Sequence, residues 1–386
     1  MGGNAFKATL PDASFPRMRP ALYNELKQRV AASLQTVYTS VAVPHEAPGK
    51  LDFGDIDFVV CHPRDGLNPE MLRVALGAQH IIAIGNVSNL AIPLRDKDSF
   101  CQVDIHVCDD IDDWQRTFFF LSYGDLSMIL GLMARALDLS LGRHGLKLAR
   151  PLPTSPQLAF MLSSSVPNIL DFFGLSMDRW QQGFSSEADI FSWLSTSRLY
   201  NPAKLLRCEA TNTSGSRTRD ARPMYQRFLV YAQRHEAPCP QLPSALEAIN
   251  VFGKRSLHDA LLHVAAAKKH VQSVFTGKLV QAWTGVSGMP VRFVMDETKR
   301  RLGGEGIMHT VAGISIDTLQ PEGIPAMHLT LRVWESAMAE MSADQVKTLV
   351  MEVKLELEAE GKLDFDWRAA KQKRASQRSS DTQGLA

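Results

Sequence analysis

Two short apolar segments, each carrying acidic residues at alternating positions, constrain this chain more than any other feature. Residues 51–60 read Leu-Asp-Phe-Gly-Asp-Ile-Asp-Phe-Val-Val, and residues 101–107 read Cys-Gln-Val-Asp-Ile-His-Val. Alternation with a period of two is typical of a β-strand, so Asp55 and Asp57 are predicted to point to one face of the first strand. Asp104 lies in the middle of the second strand. The sequence therefore predicts a sheet that displays three carboxylates.

Three carboxylates on neighbouring strands suit hard divalent cations, which prefer oxygen ligands and organise phosphate chemistry. Without a metal the three charges repel one another, so the arrangement is unfavourable as structure alone. We therefore interpret Asp55, Asp57 and Asp104 as a catalytic site for Mg²⁺ or Mn²⁺. The alternative interpretation is that Asp55 and Asp57 are solvent-facing residues of an edge strand and that Asp104 is an unrelated polar residue.

Length and composition indicate an ordinary globular protein. The 386 residues, of which 45% are hydrophobic and 22% charged, are enough for two domains. A net charge of +1 excludes a global attraction to nucleic acid or membranes. The five cysteines show no CxxC spacing, which predicts free thiols in a reducing compartment. Neither a signal peptide nor an apolar segment of about 18 residues is present, so we expect a cytoplasmic or nuclear protein with no membrane partner.

The pattern along the first 150 residues predicts an α+β domain built around a mixed sheet. A helix is predicted from Pro20, with Leu22, Leu26, Val30 and Leu34 along one face. The other predicted elements are a strand at 36–43, a helix at 68–77, strands at 80–84 and 87–94 around a Gly-Asn turn, the two aspartate strands, and a helix at 127–139.

Beyond residue 150 the periodicity is mainly helical. We expect a helical accessory or substrate domain over residues 151–370 and a polar, disordered tail over 371–386. The loop at 212–222 is predicted to be flexible and exposed. Helices are predicted around residues 156–175, 187–207, 222–235, 242–252, 255–283 and 333–360.

Five motifs follow one another within residues 1–150. They are Gly-Gly-Asn-Ala-Phe at 2–6, Asp-Phe-Gly-Asp-Ile-Asp at 52–57, Gly-Asn-Val-Ser at 85–88, Gln-Val-Asp at 102–104 and Tyr-Gly-Asp-Leu at 123–126. Together they resemble the nucleotidyltransferase superfamily, which has a polymerase-β-like fold, and more narrowly a family of nucleotidyltransferases from bacteriophages and fungal genomes. The resemblance implies that Asp55 and Asp57 bridge two magnesium ions and that Asp104 binds the ion nearest the attacking hydroxyl.

The resemblance implies a metal-dependent enzyme that transfers a nucleoside monophosphate from a nucleoside triphosphate, such as ATP, to a hydroxyl group and releases pyrophosphate. The acceptor is RNA, a protein or a small molecule, held between the two expected domains. Two alternatives remain open at this point. One is an inactive nucleic-acid-binding or regulatory module that retained the fold, and the other is a metal-dependent phosphohydrolase.

The sequence departs from the superfamily at the place where the triphosphate is usually bound. Nucleotidyltransferases usually carry a Gly-Ser pair about ten residues before the aspartate pair, and residues 41–50 contain none. Gly49 and Lys50 are candidate substitutes, because a backbone amide and an ammonium group both suit phosphate. Gly54, directly before the aspartate pair, is grouped with them. A plain surface turn is the alternative interpretation of Gly49 and Lys50.

Three further residues are candidates for ligand contacts. Arg143 and Lys147 follow the predicted helix at 127–139 and bring positive charge either to a triphosphate or to an RNA end. Basic residues after a helix C-terminus are the alternative explanation. His106 is predicted to share a face with Asp104, either as a ligand contact or as a half-buried, hydrogen-bonded histidine.

Overall fold

The chain divides into two compact units in a computed structural model. The described residues are 5–96, 98–211, 219–235, 241–311, 314–315 and 324–364. The first unit comprises residues 1–151 and 159–253, and the second comprises residues 152–158 and 254–386. The first unit thus continues well beyond residue 150, where the sequence suggested the end of the sheet domain. The reason is that the helices at residues 202–211 and 223–234 pack against the helix at residues 126–135, which follows the sheet in the first unit.

The fold is α+β, and the first unit is built on the predicted mixed sheet. The strands lie in the order β1-β2-β5-β4-β3. Strands β2 and β5 run parallel, whereas the other neighbouring pairs are antiparallel. The strand bounds are β1 Tyr38–Ala42, β2 Asp55–Pro63, β3 His80–Ile84, β4 Val87–Pro93 and β5 Phe100–Cys108.

One face of this sheet is covered by two helices, α1 (Pro20–Gln35) and α2 (Pro69–Ala75). Helix α1 begins with proline at its first position and buries Leu26, Val30 and Leu34, which confirms the predicted apolar face. The Asn68 side chain caps α2 by accepting a hydrogen bond of 3.0 Å from a backbone amide, as the Asn-Pro sequence predicts.

The opposite face carries the aspartates and is covered at its two ends. At one end, Trp114 and Leu121 of helix α3 (Ile111–Leu121) pack on Val59 of β2. At the other end, Phe6 stacks on Phe15 and packs against the start of β5. The aspartates lie between these two covered ends, on the part of the face that neither α3 nor the Phe6 segment covers.

After helix α4 (Leu126–Arg135) the first unit contains a small antiparallel sheet that the sequence pattern did not predict. Helix α4 ends four residues earlier than expected, because the chain reverses at Asp138, where φ is +56°. Gly145 is required in this sheet, since a Cβ atom there would lie 2.2 Å from the carbonyl oxygen of Ser163. The strands are β6 Leu139–Gly142, β7 Gly145–Leu148 and β8 Met161–Ser163.

In the described part of the first unit six further helices follow, and most agree with the predicted helical stretches. The stretch predicted at 156–175 is only partly helical, because β8 occupies its middle. The helices are α5 Val166–Phe173, α6 Met177–Gln182, α7 Glu187–Ser195, α8 Pro202–Thr211, α9 Pro223–Arg234 and α10 Ala245–Val251.

The second unit is helical around an apolar core that includes Val271, Val350 and Val353. Two predicted long helices are each split in two, at caps made by Thr276 and Ser342. The predicted tail at 371–386 lies outside the described residues. The elements are α11 Arg255–Val274, α12 Gly277–Thr284, α13 Met289–Arg301, β9 Thr310–Val311, β10 Ile314–Ser315, a 3₁₀ turn Ala326–His328, α14 Val333–Ala339 and α15 Ala343–Ala359.

Two sequence-based expectations concern the chain as a whole. Cys61, Cys101, Cys108 and Cys208 are free thiols, as predicted, and Cys239 lies outside the described residues. In the part of the chain that is described, no single helix has the length and apolar composition to cross a membrane. The pair α3 and α4, bent by 96°, meets that criterion jointly, by length and composition alone.

Candidate functional site

The pairing of β2 with β5 brings the three predicted carboxylates to one face of the sheet. Asp57 is the direct partner of Asp104, and Asp55 is the partner of Gln102. Direct partners on neighbouring strands point to the same side, and so do residues two apart on one strand. The pairing of Asp57 with Asp104 argues against the alternative interpretation of Asp104 as an unrelated polar residue. Strand β1 pairs only with residues 59–63 of β2, so Asp55 and Asp57 lie beyond the end of that pairing and have β5 as their strand neighbour.

Each of two carboxylates is held by a neighbouring side chain. The Gln102 Nε2 atom donates to both oxygens of Asp104, at 2.9 and 3.0 Å. Gln102 is only 4% exposed, and its own oxygen accepts a hydrogen bond of 3.1 Å from the backbone amide of Ala5. The His106 Nε2 atom lies 3.0 Å from an oxygen of Asp57. His106 is therefore the half-buried, hydrogen-bonded histidine of the second interpretation.

In these positions the carboxylates do not yet form a coordination shell. Among the described residues, no group of three or more His, Cys, Asp or Glu side chains is arranged to hold a metal ion. A cation shared by Asp55, Asp57 and Asp104 therefore requires side-chain rotation. Such rotation leaves the sheet unchanged, because only the carboxylate torsions need to move.

The electrostatics of the site favour a cation. Burial, followed by the charge of Asp57, raises the pKa of Asp55 to about 6, although the Lys50 ammonium opposes the shift. Burial and the same Asp57 charge raise the pKa of Asp104 to about 7, opposed by the hydrogen bond from Gln102. Ionising both groups is therefore costly, and a divalent cation would offset the cost. With oxygen donors only, these residues fit Mg²⁺ or Mn²⁺.

A polar cavity of about 360 Å³ lies over Asp55 and Asp57. The predicted residues Lys50 and Gly54 line it, whereas Gly49 stands beside Lys50 in a turn with φ of +73°. Lys50 is paired with Glu46 at 2.6 Å. The remaining charged lining residues are Arg17, Asp125 and Arg222. The cavity thus combines carboxylates for a cation with basic side chains for an anion.

Arg143 and Lys147, also predicted to contact the ligand, do not line this cavity. Arg143 lies in the turn between β6 and β7, and Lys147 lies on β7. The helix-terminus explanation for them is also wrong, because α4 ends at Arg135 and the chain forms a hairpin instead.

A larger cavity of about 570 Å³ is lined in part by aromatic side chains, including His45, Trp114, Phe118 and Trp180. It shares only His45 with the polar cavity and contains none of the three predicted aspartates. The smaller cavity is the one lined by Asp55 and Asp57, so it is the candidate site.

Two residues of the polar cavity were not among the predicted site residues. Asp125 belongs to the Tyr-Gly-Asp-Leu motif, which was the available signal, and is 6% exposed. Arg222 ends the loop predicted to be flexible and exposed, yet it lines the cavity. In the same loop Arg219 is buried and paired with Glu209 at 2.6 Å, so the prediction of exposure is wrong for Arg219, whereas Asp220 and Ala221 are exposed. Residues 212–218 lie outside the described residues.

Replacing Gln102 by leucine is expected to weaken Mn²⁺ binding by about tenfold at pH 7. The Asp104 carboxylate would lose the donor that favours its ionised form. Titration calorimetry measures the affinity, and Gln79→Leu serves as the matched control because Gln79 is an exposed residue outside the site. Equal affinities of wild type and Gln102→Leu would show that Gln102 does not support a metal ligand.

No protein-family model matches the chain, and no curated protein matches it either.

Proposed function

We propose that this chain is a metal-dependent nucleotidyltransferase whose mixed sheet is a polymerase-β-like catalytic sheet. It would transfer a nucleoside monophosphate from a nucleoside triphosphate to a hydroxyl acceptor, with release of pyrophosphate. The observation that carries the proposal is the register of β2 and β5, which pairs Asp57 with Asp104 and leaves Asp55 on the same face. This is the carboxylate arrangement of the superfamily that the motifs resemble.

Asp55, Asp57 and Asp104 would hold the divalent cations. When bound, such ions neutralise phosphate charge and lower the pKa of an attacking hydroxyl. The chain's own contribution is to fix the carboxylates on two central strands and to enclose the phosphates in a small polar cavity. Asp104 would also lie nearest the acceptor hydroxyl, where a carboxylate can accept its proton.

Label transfer tests the proposal. The full chain is incubated with Mg²⁺ or Mn²⁺ and each α-labelled nucleoside triphosphate, in separate reactions with RNA, with protein and with small hydroxyl compounds. Transfer of label with release of pyrophosphate would support nucleotidyl transfer and identify the acceptor class.

The same assay separates the two alternatives. Release of inorganic phosphate without label transfer indicates a metal-dependent phosphohydrolase, in which water is the acceptor. Absence of turnover together with binding of intact RNA indicates a non-catalytic nucleic-acid-binding module. Either outcome would contradict the proposed function.

A further inference from the structure

The buried carboxylate of Asp125 connects the turn after α3 to the beginning of α9. It accepts a hydrogen bond of 3.2 Å from the backbone amide of Tyr225 and lies 3.4 Å from the Arg222 Nη1 atom. The Asp125 side chain is 8% exposed, and a buried carboxylate is stable only with such partners. Asp125 therefore fixes the place where Arg222 enters the polar cavity.

The backbone before Asp125 is constrained as tightly as the carboxylate. Tyr123 and Gly124 both have left-handed φ values, +61° and +66°. The amide of Tyr123 donates a hydrogen bond of 2.6 Å to the His45 carbonyl, and a Cβ atom on Gly124 would lie 3.2 Å from Ala47. A non-glycine residue in this conformation is strained and persists only where its surroundings enforce it. The Tyr-Gly-Asp motif thus joins the cavity wall at residues 45–47 to the residue that anchors Arg222.

Arg222 differs from the other two basic residues that line the cavity. Arg17 is paired at 2.5 Å with Asp52, and Lys50 is paired at 2.6 Å with Glu46. The contact of Arg222 with Asp125 is longer, and within the described residues its buried Nε atom has no hydrogen-bond partner. A guanidinium carries five donors, and a buried donor without a partner is unfavourable. Arg222 therefore retains the most hydrogen-bonding capacity of the three.

We propose that Arg222 binds the phosphate chain of the nucleotide and that Asp125 is its positioning residue. This inference rests on the proposed function, because it assigns a role within the same site. A guanidinium at the edge of a cavity that also holds Asp55 and Asp57 can bind a polyphosphate through two oxygens while the carboxylates hold its cations. Arg222 would thereby supply the phosphate contact that the absent Gly-Ser pair provides elsewhere in the superfamily.

Binding of inorganic phosphates tests the inference independently of base preference. The full chain is titrated, in the presence of Mg²⁺, with tripolyphosphate, pyrophosphate and orthophosphate. Arg222→Ala is expected to weaken tripolyphosphate binding by about 30-fold and orthophosphate binding by much less, since the longer anion gains most from a bidentate contact. A residue with a merely structural role would not change the preference for the longer chain.

Three further variants sharpen the test. Arg227→Ala is the matched control, because Arg227 lies on the helix that directly follows Arg222, pairs with Glu187 and does not line the cavity. Arg222→Lys keeps the charge without the planar fork and is expected to lose less affinity than Arg222→Ala. Asp125→Asn is expected to bind tripolyphosphate about tenfold more weakly than the wild type and to bind Mn²⁺ with unchanged affinity. If Arg222→Ala does not fold, Arg222→Lys and Asp125→Asn decide the question.

The outcomes separate this inference from the proposed function. If Arg222→Ala or, failing that, Arg222→Lys binds all three anions as the wild type does while label transfer is observed, the inference is wrong and the proposed function stands. The same holds if the wild type transfers label but does not bind tripolyphosphate. If the wild type shows neither transfer nor anion binding, both are wrong.

Discussion

Replacing Asp57 by asparagine is expected to reduce nucleotidyl transfer by about 10³-fold or more. Asp57 is the central carboxylate of the site, because it pairs with Asp104 across the strands and lies two residues from Asp55 on the same face. It also lines the polar cavity. Loss of the Asp57 charge would weaken the binding of every cation in the polar cavity. The asparagine side chain has nearly the same size as aspartate, so the packing should not change. Release of pyrophosphate at saturating Mg²⁺ measures the effect.

Asp65→Asn is the matched control, since Asp65 is an exposed residue that follows the same strand. The unfolding temperature in EDTA shows whether Asp57→Asn folds, and we expect it not to fall below that of the wild type. An asparagine oxygen can still accept the hydrogen bond from His106 that Asp57 accepts now. If Asp57→Asn retained more than a tenth of wild-type transfer, the reaction would have to take place elsewhere on the molecule.

Local patterns in the sequence predicted those parts of the fold that local chemistry decides. The alternation in β2 places Asp55 and Asp57 on one face, and the Asn68 cap begins α2 at the expected residue. The register between β2 and β5 could not be read from either strand. It depends on a crossover of more than thirty residues, and it decides that Asp57, rather than Asp55, is the partner of Asp104.

The parts that were missed depend on contacts between distant segments. Strands β6 to β8 are only three or four residues long, too short for a period of two to be distinguished from a helix. Asp125 and Arg222 are 97 residues apart, and nothing near Arg222 in the sequence distinguishes it from other loop arginines. The sequence did contain the Tyr-Gly-Asp motif. The left-handed backbone of Tyr123 and Gly124 depends on the segment around Ala47, which packs against it and is distant in sequence.

The affinity of the site for Mg²⁺ or Mn²⁺ is expected to fall by about 10³-fold between pH 8 and pH 5. The pKa is about 6 for Asp55 and about 7 for Asp104, and a cation binds only the ionised carboxylates. Affinity falls about tenfold per pH unit for each proton that must be displaced below these values. Calorimetric titration with Mn²⁺ at several pH values measures the effect. An affinity unchanged down to pH 5 would place the cation away from these two groups.

The same raised pKa values determine how the metal-free protein responds to pH. An aspartate in the unfolded chain ionises near pH 4, whereas folded Asp104 holds its proton up to about pH 7. The folded state therefore binds more protons between these values, and this carboxyl group removes stability as the pH rises from about 4 to about 7. An asparagine at position 104 is uncharged like protonated aspartic acid, so its contribution to stability does not change with pH.

In EDTA, Asp104→Asn is therefore expected to unfold at a higher temperature than the wild type at pH 8, with the difference shrinking as the pH falls and disappearing towards pH 4. With saturating Mg²⁺ at pH 8 the order should reverse, because only the wild type has the third carboxylate through which the cation stabilises the folded state. If the difference in unfolding temperature between Asp104→Asn and the wild type in EDTA did not change with pH, it would not come from ionisation of Asp104. The cation would then have no cost of burying the Asp104 charge to offset.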